Sequence, residues 1–368
     1  MAKSCIVITC FITSLLSCHS LAAARPQAPP PGAPPVDQAE GGNEPVGAPM
    51  RIGSAVLSGS VFLEGSRTTG DTEDETRDML RVRRARIGLA GTLSPRIGWS
   101  LSAELTAEPA LRNAFVVVKI SDHANLRIGQ ANPITALERG LSALSLELID
   151  RSPATSELTG PADLGVTLFS PAPYRGWLGY ALNISNGAGF NRPDDNDSKD
   201  VSGRIAVSPP SVEGLLVVAS GARGQQPGGL RTRAGLGAEY KRPSWRVVVE
   251  GLRQVRDRLP ASNGYVVMAA VRPRGATVPA RLRQLEFAAR FSVLNDHATA
   301  AGVPSGIVND DGTDAPLVEP GIATTREFQA GANVYVNSNL RVMADLVVPV
   351  DERKHPGPAA LMRLQLQF

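Results

Sequence analysis

The polar faces of this chain's alternating stretches carry whole charges, and that narrows the available folds more than any other feature. In 84–93, Arg84, Arg86, Gly88, Ala90 and Thr92 fall on one parity and Ala85, Ile87, Leu89, Gly91 and Leu93 on the other. In 99–106, Trp99, Leu101, Ala103 and Leu105 oppose Ser100, Ser102, Glu104 and Thr106. Glu286 and Arg290 share a parity opposite Leu285, Phe287 and Phe291, and Arg341 and Asp345 share one opposite Val342, Ala344 and Leu346. The last stretch, LMRLQLQF (361–368), sets Met362, Leu364, Leu366 and Phe368 against Arg363, Gln365 and Gln367. A period of two marks a strand with two unlike faces. A charge facing a dry sandwich core is prohibitively costly, and one facing lipid at mid-depth costs ~2–4 kcal/mol. A charge facing a water-filled lumen costs little. The pattern therefore predicts strands with the apolar face on lipid and the charged face on an aqueous bore.

Sixteen stretches alternate and end in turn residues: 52–63, 83–94, 97–107, 111–120, 124–130, 164–170, 176–186, 200–208, 213–221, 232–241, 244–254, 264–273, 283–293, 327–337, 340–350 and 359–368. Their connections sort by length. SPRIG (94–98), KRPS (241–244) and NSNL (337–340) are tight, whereas 64–80, 131–163, 187–199, 254–263 and 294–326 are long and polar. Short turns at one end and long loops at the other belong to transmembrane barrels. The expected fold is all-β: a transmembrane antiparallel β-barrel of about 16 strands over 51–368, with no stretch apolar enough for a helical span. The glycine-rich GARGQQPGG (221–229) opens no helix and reads as a loop rather than a phosphate cradle.

The first residues read as a secretory signal over 1–24. Lys3 precedes an apolar run through Ile6, Val7, Ile8, Phe11, Ile12, Leu15 and Leu16, and Ala22, Ala23 and Ala24 supply small residues for cleavage. Lipoprotein processing at Cys18 is the alternative. Residues 25–50, rich in Pro, Gly and Ala, read as a disordered periplasmic segment. Cys5, Cys10 and Cys18 all lie in the signal. The expected mature chain thus has no disulfide, thiolate metal site or thiol nucleophile.

Basic residues number 33 Arg against 5 Lys. Codon bias favours arginine, and so does anion contact through planar, permanently charged guanidinium groups. Parity directs Arg84, Arg86, Arg127, Arg204, Arg233, Arg246, Arg290 and Arg341 to the lumen wall, and Arg139 and Arg151 lie in the long stretch best placed to fold inward. Each is an anion-path candidate. Taken singly, each reads first as a solvated wall charge paired with Glu104, Glu239, Glu250, Glu286 or Asp345. Asp194, Asp195, Asn196 and Asp197 lack the glycine and distal glutamate of a calcium loop and read as a solvated loop. The histidines are scattered, so neither a metal cluster nor a Ser-His-Asp arrangement is readable, and the chain reads as no enzyme, with no cofactor and no nucleic-acid partner.

The segments RRARIGLAGTL (83–93), LRNAFVVVKI (111–120), LRIGQANPITALERG (126–140), GYALNISNGAG (179–189), DDNDSKDVSGRIAVSP (194–209) and REFQAGANVYVNSNLRVMADLVV (326–348) resemble, in that order, the phosphate-selective porin O and P family of Gram-negative outer membranes. The resemblance implies an outer-membrane homotrimer of sixteen-stranded barrels in contact with membrane lipids, each pore narrowed by an inward-folded loop. Phe368 resembles the C-terminal signal read by the barrel assembly machinery. The implied function is passive diffusion of anions such as phosphate or polyphosphate. Against the family pattern, Gln130 is followed by Ala131, Asn132 and Pro133 rather than by lysine and aromatics, which weakens the case for phosphate. A nonselective or mainly structural outer-membrane barrel is the competing expectation.

Overall fold

The computed structural model describes residues 51–52, 55–68, 78–108, 110–132, 135–171, 177–194, 196–226, 229–257, 259–275, 277–296, 323–350 and 357–368. The expected signal (1–24), the proline-rich segment (25–50), Asp195 and most of the 294–326 loop lie outside the described residues.

The strands are β1 (Arg51–Ile52), β2 (Ala55–Thr68), β3 (Asp78–Ser94), β4 (Ile97–Glu104), β5 (Leu111–Lys119), β6 (Asn125–Ala131), β7 (Asp163–Phe169), β8 (Leu178–Ser185), β9 (Asp200–Val207), β10 (Leu215–Gln226), β11 (Gly229–Arg242), β12 (Trp245–Arg256), β13 (Ser262–Val271), β14 (Leu285–Asp296), β15 (Ala323–Tyr335), β16 (Leu340–Pro349) and β17 (Ala359–Gln367). Helix α1 (Pro153–Thr159) interrupts the connection between β6 and β7. Strands β2 to β17 are sixteen antiparallel staves, each paired with its neighbour in sequence, and β1 is a two-residue arm on β2. All sixteen correspond to the alternating stretches. The sheet closes where β17 meets β2, from Ala359↔Thr68 to Gln367↔Ser60. Closure leaves no unpaired edge for another chain to join. Phe368 completes the seam: its N–H donates to Gly59 O at 3.0 Å and its carbonyl accepts from Gly59 N at 2.8 Å.

The two faces divide as the alternation requires. Ile205, Leu236, Val267, Phe287 and Leu364 point outward and are exposed, while Glu250, Arg290, Gln329, Arg341 and Asp345 point inward and are buried. The connections at one rim are 95–96, 120–124, 170–177, 208–214, 243–244, 272–284 and 336–339. The long 132–162, 186–199 and 297–322 lie at the other. Several depart from the expected sorting, among them 170–177 and 208–214, long for the tight-turn rim, and 257–261, short where 254–263 reads as a long loop. The stretch 221–229 is mostly strand, with only residues 227–228 between β10 and β11, and 272–284 is long yet lies at the tight-turn rim, carrying a 3-10 turn at Leu282–Gln284.

Stave length divides the wall. Strands β4 to β9 have 7 to 9 residues, whereas β10 to β15 have 10 to 14 and β3 has 17. Two register shifts re-aim arginines. Between β2 and β3 the pairing steps from Phe62↔Arg84 to Leu63↔Val82, so Arg83 is the extra residue. Between β4 and β5 it steps from Ser102↔Asn113 to Ala103↔Leu111, so Arg112 is the extra residue. A bulge shifts the alternation by one. The first lets Arg81 join Arg84 on the inner face, where Arg81 reaches Glu64 at 2.8 Å. The second turns Arg112 inward and buries it.

Candidate functional site

The segment 135–162 folds into the barrel. Its helix starts where Ser152 Oγ accepts from Thr155 N at 3.1 Å, an N-cap, with Pro153 in the first turn, where its missing N–H is not needed. Ala154 and Leu158 of α1 pack with Ala136, Leu252, Val266 and Leu294. Gly264 makes this approach possible: a Cβ there would stand 2.6 Å from Ala154 Cβ. Lower in the segment, Leu137 and Leu148 pack on Ala206, Val218, Val248, Met268, Ala270 and Ala288. These wall residues occupy inward positions among the charges. The expectation of a wholly aqueous bore is therefore corrected. Against β9 to β14 the interior is a dry core, because apolar loop side chains cover apolar inward positions and displace water.

Charged wall side chains from β12 to β17 latch the segment as well. Arg290 donates to Glu138 Oε1 at 3.1 Å, to Asp150 O at 2.8 Å and to Gln329 Oε1 at 2.5 Å. Arg246 bridges Glu147 at 2.7 Å and Glu239 at 2.7 Å. Arg341 donates to the carbonyls of Leu144 and Leu146 at 3.3 and 2.5 Å and lies 3.8 Å from Glu286. Arg363 pairs with Glu64 at 2.8 Å and Asp150 at 3.2 Å, and donates to Ile149 O. Two of the carboxylates expected as arginine partners instead take loop backbone. Glu250 accepts from Leu137 N at 2.5 Å and Glu138 N at 3.3 Å, and Asp345 accepts from Ile149 N at 2.7 Å. Burial pushes the Glu138 carboxyl up, but Arg290 and the hydroxyls of Thr155 and Ser152 outweigh it and leave it below its ordinary range.

Across the lumen the arrangement differs. One cleft is lined by Arg84, Arg86 and Arg112 from β3 and β5 and by Arg139 and Arg151 from the inserted segment. Glu104 serves two of them, at 3.3 Å from Arg84 and 3.4 Å from Arg86. Aromatic faces hold guanidinium groups here: Arg84 lies 5.2 Å from the Phe62 centroid and Arg112 4.7 Å from that of Phe190. A ring positions a cation without cancelling its charge. A second cleft is lined by Arg127, Arg231 and Arg233 with Asp163, Asp200, Thr167, Asn183 and Ser202. Arg127 lies 5.5 Å from Phe115 and 5.9 Å from Phe169, and Arg231 is 3.7 Å from Asp200.

Of the candidates read from sequence, Arg84, Arg86, Arg139 and Arg151 come together in the first cleft, and Arg127 and Arg233 in the second. Arg204 lies against Gly140, where a Cβ would come 2.9 Å from its guanidinium. Arg246, Arg290 and Arg341 are engaged by the inserted segment. Arg112, Arg231 and Arg363 were missed. Parity pointed to Arg363, which shares a face with Gln365 and Gln367. It pointed away from Arg112, which only the bulge turns inward. The supporting rings left a trace: Phe62 stands on the polar parity between Ser60 and Glu64. Among the described residues no group of His, Cys, Asp or Glu is arranged to hold a metal.

The barrel is that of outer-membrane porins. OmpF of Salmonella typhi, in complex with daunomycin, matches at a TM-score of 0.59 and 14% identity over 87% of this chain and 100% of its own. The outer membrane channel DcaP of Acinetobacter baumannii matches at 0.58 and 10% identity over 85% and 97%. The trimer form of OmpT, an outer membrane protein of Vibrio cholerae, matches at 0.56 and 12% over 86% and 100%. At such identities the likeness establishes the fold. No curated protein matches the sequence. The model of the phosphate-selective porin O and P family matches residues 63–226, the stretch that holds β3 to β10, the inserted segment and the arginine cleft.

Proposed function

We propose that this barrel is an outer-membrane diffusion channel preferring small anions, with phosphate-type oxyanions as the substrate class. The observation that carries the reading is the cleft of Arg84, Arg86, Arg112, Arg139 and Arg151, five guanidinium groups drawn together beside Glu104, with rings bracing Arg84 and Arg112. Its positive field repels cations and gives a partly dehydrated oxyanion several fixed donors. The family match supports a channel rather than an enzyme.

Reversal potentials in planar bilayers under a KCl gradient test the proposal. Chloride is expected to permeate better than potassium, and phosphate to block chloride current at millimolar levels. The triple variant R84Q/R86Q/R139Q is expected to lose most of that preference. Cation preference in the unaltered protein overturns the proposal. A poorly conducting, mainly structural barrel is the second reading, favoured by the dry core that fills one side of the lumen; current near baseline would select it.

The reading extends to assembly. Strands β6 to β9, at 7 or 8 residues, fall short of the ~9–11 residues a tilted strand needs to cross a bilayer. Packing this arc against neighbouring protomers relieves the mismatch, so we place it at the interface of a homotrimer. Export by the 1–24 signal and recognition of Phe368 by the assembly machinery belong to the same proposal. Cross-linking in membranes tests the trimer: cysteines on the outward face of β7 or β8 should couple protomers, and cysteines on β12 should not.

A further inference from the structure

The outer surface carries charges that the pore reading leaves unused. At the long-loop ends of their strands, Arg67 (β2), Arg223 (β10), Arg253 (β12) and Arg326 (β15) are exposed and share the parity of the outward residues Leu63, Ala219, Val249 and Phe328. They do not face the lumen. Their registers connect them. Arg223 pairs with Thr232, which pairs with Val255, so Arg253 sits two strands over and two residues lower. Gly251, Tyr265, Val293 and Arg326 pair in succession, so Arg326 is three strands further and two residues lower again. Barrel strands tilt by ~35–45°. The whole wall shows the resulting stagger, each strand's tight-turn end lying level with or below its predecessor's. A stripe that descends with this stagger runs level around the barrel. Strand spacing puts Arg253 and Arg326 about 15 Å apart at their Cα atoms, with Asn263, Asn295 and Tyr265 on the surface between them.

The other features of the outer surface show that this placement is specific. Trp99, Trp177 and Trp245, with Tyr180 and Phe368, all lie at the tight-turn end. Tryptophans thus gather at the tight-turn end, where Arg242 also faces outward and pairs with Glu213, and the exposed arginines of the belt lie at the other end with Tyr265 among them. The arc from β3 to β9 has no such arginines: its outward positions near the long loops are Leu80, Leu105, Ile128, Leu164, Ile184 and Val201. Among the described residues, three aspartates stand close to the belt. Asp78 lies 3.7 Å from Arg67, Asp257 accepts from Leu230 N and Asp296 accepts from Ser262 Oγ.

We propose that the outward belt of Arg67, Arg223, Arg253 and Arg326 binds phosphate groups of lipid headgroups in the outer leaflet, on the arc from β10 to β2. Long loops mark the outer face of such barrels, and arginine reaches from an apolar band to headgroup phosphates while its stem stays in the band. The belt acts whether or not the pore selects anions.

The test uses the full barrel in detergent and in phosphatidylcholine nanodiscs, with lipid A as the probe in its bisphosphoryl and monophosphoryl forms and inorganic phosphate as the soluble control. Bound lipid is counted by native mass spectrometry. Bisphosphoryl lipid A is expected to bind at least tenfold more tightly than the monophosphoryl form, and inorganic phosphate in excess should not displace it. The variant R223Q/R253Q/R326Q should lose about tenfold in affinity while conductance and anion preference stay unchanged. Equal binding by variant and unaltered barrel overturns the proposal, as does displacement by inorganic phosphate. If the variant does not fold, the comparison of the two lipid forms on the unaltered barrel decides, and equal affinity for both sinks the proposal.

Discussion

The two sides of this lumen use the same cation in opposite ways. On the wall from β12 to β17, Arg246, Arg290 and Arg363 meet the carboxylates of Glu147, Glu138 and Asp150 on the inserted segment. Their charge is cancelled and the segment is fixed. On the wall from β3 to β6, Arg84, Arg112 and Arg127 lie on the faces of Phe62, Phe190, Phe115 and Phe169. Rings hold them, and Arg84 also shares Glu104 with Arg86. Phe62 joins the two sides, with Arg84 at 5.2 Å and Arg363 at 4.8 Å from its centroid. An arginine count therefore says little about a pore's field; what matters is whether each guanidinium leans on a carboxylate or a ring.

The largest test breaks the latch. Arg290→Ala leaves Glu138 buried without its main partner, which should cost about 3–5 kcal/mol. Thermal unfolding in detergent should show a marked fall, and single-channel conductance should rise and become noisier as the segment loosens. Unchanged conductance would mean that the dry core alone holds the segment. Gly264→Leu attacks that core by pushing a side chain into Ala154 and Leu158. Overpacking of this kind costs about 1–3 kcal/mol, read as a lower melting temperature with noisier current.

The arginine side should respond in the reverse sense. Arg84→Gln with Arg86→Gln removes two like charges that share Glu104, so anion preference should fall severalfold while the melting temperature changes less than in Arg290→Ala. A large loss of stability there would show that Glu104 neutralises the cleft after all. Phe190→Leu is a milder version. It removes a cation–π contact of about 0.5–1 kcal/mol at an exposed site, more when desolvated, and should broaden the distribution of open-channel currents without altering its sign of selectivity. The smallest effect is with pH. Because the Glu138 carboxyl is held below its ordinary range, its latch contribution is complete above the unfolded value and is lost only as pH falls through the depressed folded one. The share of the latch that Glu138 carries, read as the difference in current noise between the unaltered barrel and Glu138→Gln, should hold from neutral to mildly acidic solution and vanish only in stronger acid.

Much of the wall was legible from the sequence because strand periodicity is local. Charges on alternate positions of 285–292 and 340–348 sort themselves between lipid and lumen without reference to any other strand. The same reading misjudged Arg112, because a bulge is a relation between two strands and leaves no mark on the parity of one. It also took 221–229 for a loop, since glycine content suggested a turn where the pairing of Gln226 with Gly229 continues the ladder.

The sequence by itself determined that an apolar face meets acyl chains and a charged face looks inward, because no other solvent pair accepts both sets of side chains at tolerable cost. Only the tertiary structure decided which inward charges remain charged in effect. That depended on where the 135–162 segment came to rest, which follows from shape and apolar contact at Gly264, Val248 and Met268 rather than from any pattern along the chain. Once it settled there, its carboxylates met Arg246, Arg290 and Arg363, and its own Arg139 and Arg151 came to lie with Arg84, Arg86 and Arg112.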